Sequence, residues 1–164
     1  MFLDFAKAFD RVHHKILLNK ICNFGISGSL LAWCSDHLLN RTQRVMIDGS
    51  CSSWLNIPSG VPQGSILVLL FFLIFISDVP EVVSVGNTLD MYVDVCKTFR
   101  VISCPNDQLL FQGDLDRLCA WSEQNKMDFN VKKCKLMEIT MKKQPLISNF
   151  TLKGSVLNFR TLAC

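Results

Sequence analysis

No polar side chain interrupts the run from Ile66 to Ile76, and this stretch limits what the chain can fold into more than any other. Water will not tolerate it exposed, because burying each large apolar side chain is worth about 1.5–3 kcal/mol. The run falls in the range of about 10–14 residues that marks a buried helix and is well short of the ~20 needed to span a bilayer. No basic flank accompanies it, so no membrane association is expected. Pro58, Gly60, Pro62 and Gly64 precede it, and such a cluster predicts a loop that delivers the chain into a buried helix.

The 164 residues amount to about one domain, long enough for a sizeable core. Without repeats, low-complexity tracts or Gly/Ser linkers, the whole of 1–164 is read as a single domain. The apolar fraction of 49% is on the high side for a soluble domain and predicts surface reserved for a partner or for self-association. Met1-Phe2-Leu3 runs directly into Asp4, Lys7, Asp10 and Arg11, which is no secretory leader, so an intracellular location in cytoplasm or nucleus is expected. The eight cysteines are scattered without a CxxC pair, which disfavours zinc and a disulfide framework and favours reduced thiols filling core space. His13, His14 and His37 show no ligand spacing either. A net charge of +3 says little alone, but Lys132, Lys133, Lys135, Lys142 and Lys143 concentrate the positive charge.

Along the chain, Phe2 to Phe5 reads as a short buried strand that presents Asp4 at its end. Leu17, Ile21 and Phe24 recur at helical spacing and Gly25 stops that helix; a second helix is predicted over 29–39. Alternation from Gln43 to Asp48, the Asp48-Gly49 turn signal and the segment Ser53 to Ile57 predict a β-hairpin with Val45 and Ile47 on one face. Thr88 to Phe99 predicts two strands joined by a tight turn at Asp94. From Pro105 to about Asn125 a helix is expected, with Asp107 at its positive end, Phe111, Leu115, Leu118 and Cys119 as its apolar stripe, and Gly113 as a weak point. The tail, with Leu136, Ile139, Ile147, Phe150, Leu152 and Val156 and a turn at Gly154, is read as short strands. This order predicts an α+β layer structure, helices packed on a largely antiparallel sheet.

Three strings have the identity, order and spacing of one family. LDFAKAFDRV (Leu3 to Val12), SGVPQGS (Ser59 to Ser65) and YVDV (Tyr92 to Val95) resemble the palm of non-LTR (LINE-type) retrotransposon reverse transcriptases. Trp121, Asn130, Lys133 and Cys134 resemble a further stretch of that palm. The resemblance implies a polymerase palm fold and RNA-templated DNA synthesis on a DNA primer from deoxynucleotide triphosphates, with two Mg²⁺ ions. Such chemistry needs carboxylates that converge from separate strands on cations about 4 Å apart. By resemblance Asp4 and Asp94 are the metal ligands, and Lys133 falls where a lysine protonates the leaving pyrophosphate. Phe9 would gate against a ribose 2′-hydroxyl, and Gly60, Pro62, Gln63, Gly64 and Tyr92 would face nucleotide or template.

Each residue also has a plainer reading. Asp4 and Asp94 could be ordinary strand-end and turn carboxylates, Phe9 core, the Gly/Pro loop a turn, and Lys133 a solvated lysine. Asp10, six residues on from Asp4 and within the helix start, is expected to stabilise the first helical turn. Asp90 is a poor third ligand, since residues two apart on a strand lie about 7 Å apart.

This sequence departs from the family at two places. Val95 stands where the central box has a second aspartate, and Val68-Leu69 where Gly-Pro is usual. The chain also begins at the first motif and stops at Cys164, so fingers and thumb are expected to be missing. The resulting expectation is a reverse-transcriptase palm that is inactive as written, a pseudoenzyme. Its rivals are a non-catalytic palm remnant that binds nucleic acid or a partner, and an unfolded relic.

Overall fold

The structure, a computed structural model, describes residues 1–62, 64, 66–140 and 149–157, and 159–163 as backbone. Gln63, Lys142, Lys143, Ile147 and Cys164, all singled out above, lie outside the described residues. In chain order the elements are β1 (Phe2–Asp4), α1 (His14–Asn23), α2 (Gly28–Leu38), β2 (Thr42–Gln43), β3 (Met46–Ile47), β4 (Ser50–Cys51), β5 (Leu55–Asn56) and α3 (Ile66–Ile76). There follow β6 (Thr88–Tyr92), β7 (Val95–Phe99), α4 (Pro105–Gln124), β8 (Leu136–Thr140), β9 (Thr151–Leu152), β10 (Ser155–Val156) and β11 (Phe159–Ala163). Helices and mostly antiparallel strand pairs make this an α+β chain, and β8 with β11 is a parallel pair. It forms two compact units, Met1–Ala6 with Ser77–Cys164, and Lys7–Ile76.

The first unit is built on an antiparallel sheet in the order β1-β7-β6 among the described residues. Its register pairs Leu3 with Cys96 and Cys96 with Met91, and Asp4 with Val95 and Val95 with Tyr92. Side chains alternate accordingly: Leu3, Cys96 and Thr98 are fully buried, while Phe2, Lys97, Tyr92 and Phe99 face solvent. The strand expected to be buried at Phe2–Phe5 is therefore buried on one face only, as befits an antiparallel sheet. The free side of β1 is closed by a later segment, through reciprocal bonds between Phe2 and Lys135 and a bond from Ala6 N–H to the Asp128 carbonyl. Phe5 stacks on Phe129 with ring centroids 4.8 Å apart and lies 5.9 Å from Trp121 of α4.

Helix α4 starts and stops where the sequence indicates. Pro105 sits in its first turn, and the Asp107 carboxylate accepts the Ser103 and Cys104 N–H groups at 2.9 and 3.1 Å. These bonds hold the Asp107 carboxyl below its usual range. Phe111, Leu115 and Leu118 are buried, Cys119 only partly, and the helix continues through Gly113.

In the second unit α1 packs against α2 and α3. Leu17 and Ile21 are buried as their spacing predicts, but Phe24 is exposed because it lies at the C-cap, beyond the last helical turn. The predicted hairpin forms as two short ladders, β3 with β4 and β2 with β5. Asp48 and Gly49 both have positive φ, 47° and 79°, the signature of a type I′ turn. Val45, Met46, Ile47, Trp54 and Leu55 of this hairpin all stand exposed, with the Arg44 guanidinium 4.6 Å from the Trp54 ring centre.

Helix α3 corrects the expectation most strongly. Val68, Phe71, Phe72, Phe75 and Ile76 are buried at helical spacing, whereas Ile66 is 93% exposed and Leu69, Leu70 and Leu73 are each about half exposed. An all-apolar helix packed on one side leaves an apolar face bare. Among the described residues no helix is long and apolar enough to cross a membrane. The cysteine expectation also holds only in part: Cys34, Cys96 and Cys134 are buried, but Cys22, Cys51 and Cys104 are exposed.

Candidate active site

The β6–β7 turn has two central residues, Val93 and Asp94, and Val93 adopts φ 54°. A β-branched residue there is a genuine outlier, since glycine normally supplies positive φ at the first central position of such a turn. The conformation costs about 1–3 kcal/mol. Its result is that Asp94 stands in the turn itself, off the strand alternation that would have aligned it with Asp90 and Tyr92. Across the sheet, Phe5 N–H reaches the Asp94 carbonyl at 3.4 Å and Asp4 pairs with Val95. The two aspartates thus occupy the same end of the sheet, from strands distant in sequence.

Cross-strand partners present their side chains on one face. Asp4, Val95 and Tyr92 consequently form a row, with Tyr92 82% exposed at its outer end. The Asp4 carboxylate has one oxygen, Oδ1, that is covered and accepts no hydrogen bond. Lys133 Nζ lies 3.6 Å from it. A backbone turn brings that lysine in: Asn130 N–H donates to the Asp4 carbonyl at 2.7 Å, and the Lys133 and Cys134 N–H groups donate to the Asn130 carbonyl at 2.9 and 3.0 Å. The sequence stretch around Asn130, Lys133 and Cys134 therefore converges on Asp4.

Two thiols lie near the pair. Burial, reinforced by Cys134 and Asp94, pushes the Cys96 thiol up to about 12, and burial likewise raises Cys134. Burial thus favours the protonated form of both thiols in the metal-free fold. No cluster of three or more His, Cys, Asp or Glu suited to a metal occurs among the described residues. Carboxylate oxygens such as those of Asp4 and Asp94 fit a hard divalent cation that takes its other ligands from water and phosphate. The Val95 side chain, beside Asp4, offers it no oxygen.

Within the Lys7–Ile76 unit, the Gly60 loop is fastened to the segment after β1. Gly60 N–H donates to the Val12 carbonyl and Val61 N–H to the Phe9 carbonyl, both at 2.9 Å, and the Ser59 hydroxyl donates to the Asp10 carbonyl at 2.9 Å. Gly60 has φ 94°, and a Cβ there would lie 3.0 Å from Asp10 backbone atoms, so only glycine fits. His14, for which no role was expected, is buried with Nε2 2.7 Å from the Gly60 carbonyl. Asp10 does lie in a first helical turn, but that of a short 3-10 helix, Ala8–Arg11, which precedes α1. Half-buried Phe9 lies 4.7 Å from Phe72, ring centre to ring centre. Pro62 is half-buried and Gly64 exposed, with φ 94°.

Sequence reasoning also missed Asp114. It is fully buried in α4 and accepts from Ser84 N–H at 2.8 Å, Ser84 Oγ at 2.9 Å, Asn87 Nδ2 at 2.9 Å and the Arg117 guanidinium. The available signal was positional, since 114 belongs to the 111, 115, 118 stripe.

Residues 1–155 match the family described as reverse transcriptase (RNA-dependent DNA polymerase). The chain is 32% identical over 143 residues to the RNA-directed DNA polymerase from mobile element jockey of Drosophila melanogaster, covering 81% of this chain and 15% of that protein. It is 29% identical over 149 residues to a probable RNA-directed DNA polymerase from transposon X-element of the same fly, covering 88% and 16%. To a retrovirus-related Pol polyprotein from type-1 retrotransposable element R2 of Popillia japonica it is 24% identical over 138 residues, covering 80% and 23%. It thus spans less than a quarter of the length of the curated relatives it matches. With the carboxylate pair, the glycine loop and the lysine turn all carried on the matched segment, the chain belongs to the reverse transcriptase family, on its non-LTR retrotransposon side.

Proposed function

We propose that the chain is the palm of a non-LTR retrotransposon reverse transcriptase, descended from an enzyme of RNA-templated DNA synthesis and itself impaired by Val95. The observation that carries this reading is the β1–β7 register, which sets Asp4 opposite Val95 while the next residue, Phe5, reaches the Asp94 carbonyl at the same end of the sheet. Asp4 and Asp94 would hold the Mg²⁺, which when bound polarises phosphate oxygens and activates the primer hydroxyl. Lys133 would lend positive charge to the departing pyrophosphate. Phe9, Gly60, Pro62, Gln63, Gly64 and Tyr92 keep the substrate-facing roles that the resemblance implies. A valine beside Asp4 withholds one carboxylate from the charge balance, and losing one preorganised electrostatic group commonly costs about 10²- to 10³-fold in rate.

Primer extension tests this on an RNA template, with residues 1–155 replacing the matching segment of a complete relative. The Val95→Asp graft should extend at least about tenfold faster than the Val95 graft. Equal rates for the two grafts would overturn the reading of Val95 as the inactivating change and move suspicion to Val68-Leu69.

A second reading, retained nucleic-acid binding without catalysis, draws support from the exposed Lys126, Lys132, Lys133 and Lys135. Binding to an RNA/DNA hybrid that weakens steeply with salt would favour it.

A further inference from the structure

We infer that Lys133 is the resident counter-ion of Asp4 and competes with a divalent cation for its carboxylate. The inference rests on the metal-binding role proposed for Asp4 and Asp94 and states what governs that site. Asp4 Oδ1 is covered yet accepts no hydrogen bond, an arrangement that is costly for a carboxylate unless positive charge is close. The Lys133 ammonium at 3.6 Å supplies that charge as an ion pair too long for a hydrogen bond. The pairing is built in by the backbone, because the Asn130–Cys134 turn is fastened to the carbonyl of Asp4 itself.

The two partners differ in freedom. The Lys133 side chain is 67% exposed and that of Asp4 22%, so the ammonium can leave for solvent while the carboxylate stays with the sheet. A cation such as Mg²⁺ must approach an oxygen to about 2.0–2.1 Å. An ammonium 3.6 Å from Oδ1 opposes that approach, since like charges so close repel strongly. Cation binding therefore displaces Lys133. Val95 makes the competition matter: with Asp4 and Asp94 as the only carboxylates of the row and turn, one lysine cancels half of the available negative charge. Displacement also frees the ammonium for another anion, such as a phosphate.

The test is Mn²⁺ binding to the full chain at fixed ionic strength, read by the electron paramagnetic resonance of free Mn²⁺. Lys133→Met should bind about two- to fivefold tighter than the unaltered chain, the range set by a largely exposed ion pair. Lys133→Arg should bind as the unaltered chain does, and Asp4→Asn should lose binding. Because Lys133 is exposed, its variants should keep the parent's circular dichroism and unfolding midpoint. Equal or weaker binding by Lys133→Met, or Lys133→Arg binding as tightly as Lys133→Met, overturns the competition while leaving the metal site standing. Undiminished binding by Asp4→Asn, or no binding by any chain, overturns the metal site as well.

Discussion

Around the three-stranded sheet a carboxylate, Asp114, is buried and met by four donors, whereas in the Lys7–Ile76 unit Val45, Met46, Trp54, Ile66 and Leu69 stand in water. The two units distribute polarity in opposite senses. In the first, a buried charge fixes geometry: Asp114 ties α4 to Ser84 and Asn87, and Asn87 in turn accepts the Thr98 hydroxyl of β7 at 3.0 Å. The loop entering β6 is thereby fixed just ahead of the strand that leads to Asp94. In the second, backbone fit does the fixing, at Gly60, and apolar surface remains uncovered. Residue polarity alone thus predicts burial poorly here, because available partners decide it.

Asp114→Ala should destabilise the chain by about 3–4 kcal/mol, because it leaves buried donors and a half-exposed Arg117 without their acceptor. Urea unfolding would show a lower midpoint at unchanged slope. A loss below 1 kcal/mol would mean that water or relaxation replaces the carboxylate. Gly60→Ala should cost less, about 1–3 kcal/mol, from the positive φ and the 3.0 Å approach to Asp10. Its signature is a lower thermal midpoint that His14→Ala, which removes the partner of the Gly60 carbonyl, shares in part.

A third effect is silent near neutrality. Since the folded state raises Cys96 from 9.0 to about 12, the stability contributed by its neutral thiol is complete below pH 9 and is lost progressively as pH climbs from 9 to about 12. Cys96→Val should flatten that alkaline loss, measured by denaturant midpoints across the interval. Smallest in stability is Leu69→Gln with Leu73→Gln, within about 0.5 kcal/mol of the parent, as for other exposed positions. The same pair should nevertheless reduce self-association in sedimentation velocity, because uncovered apolar faces drive it. If the double variant unfolds instead, the outer face of α3 is covered in solution.

Much of the first unit was legible in the sequence. Pro105, Asp107 and a 3.6-residue stripe mark α4, and β-formers either side of Asp94 mark β6 and β7. These are local signals. The pairing of Asp4 with Val95 joins residues about ninety positions apart, and no local pattern encodes it. Only the family resemblance connected the two aspartates before the structure did, and it also led to Lys133. The turn at Asp94 was readable but not the strain at Val93, because propensity reports the cost of a conformation and not its use. Phe24 misled because spacing carries on past a helix end, and Asp114 was passed over because carboxylates seldom sit in apolar stripes. For α3 periodicity was blind, since every position is apolar.

That uniformity has a kinetic consequence. Rotating α3 about its axis exchanges one oily face for another, so hydropathy gives the helix no preferred azimuth. What selects the native one is shape: Phe71, Phe72 and Phe75 all point inward, and the outward positions carry only branched aliphatic side chains. A misrotated α3 would be compact, helical and nearly as dry, differing only in how its rings interlock. Folding of the Lys7–Ile76 unit should therefore pass through states with α3 formed and wrongly turned, and escape from them should depend on ring volume at 71, 72 and 75 more than on total hydrophobicity.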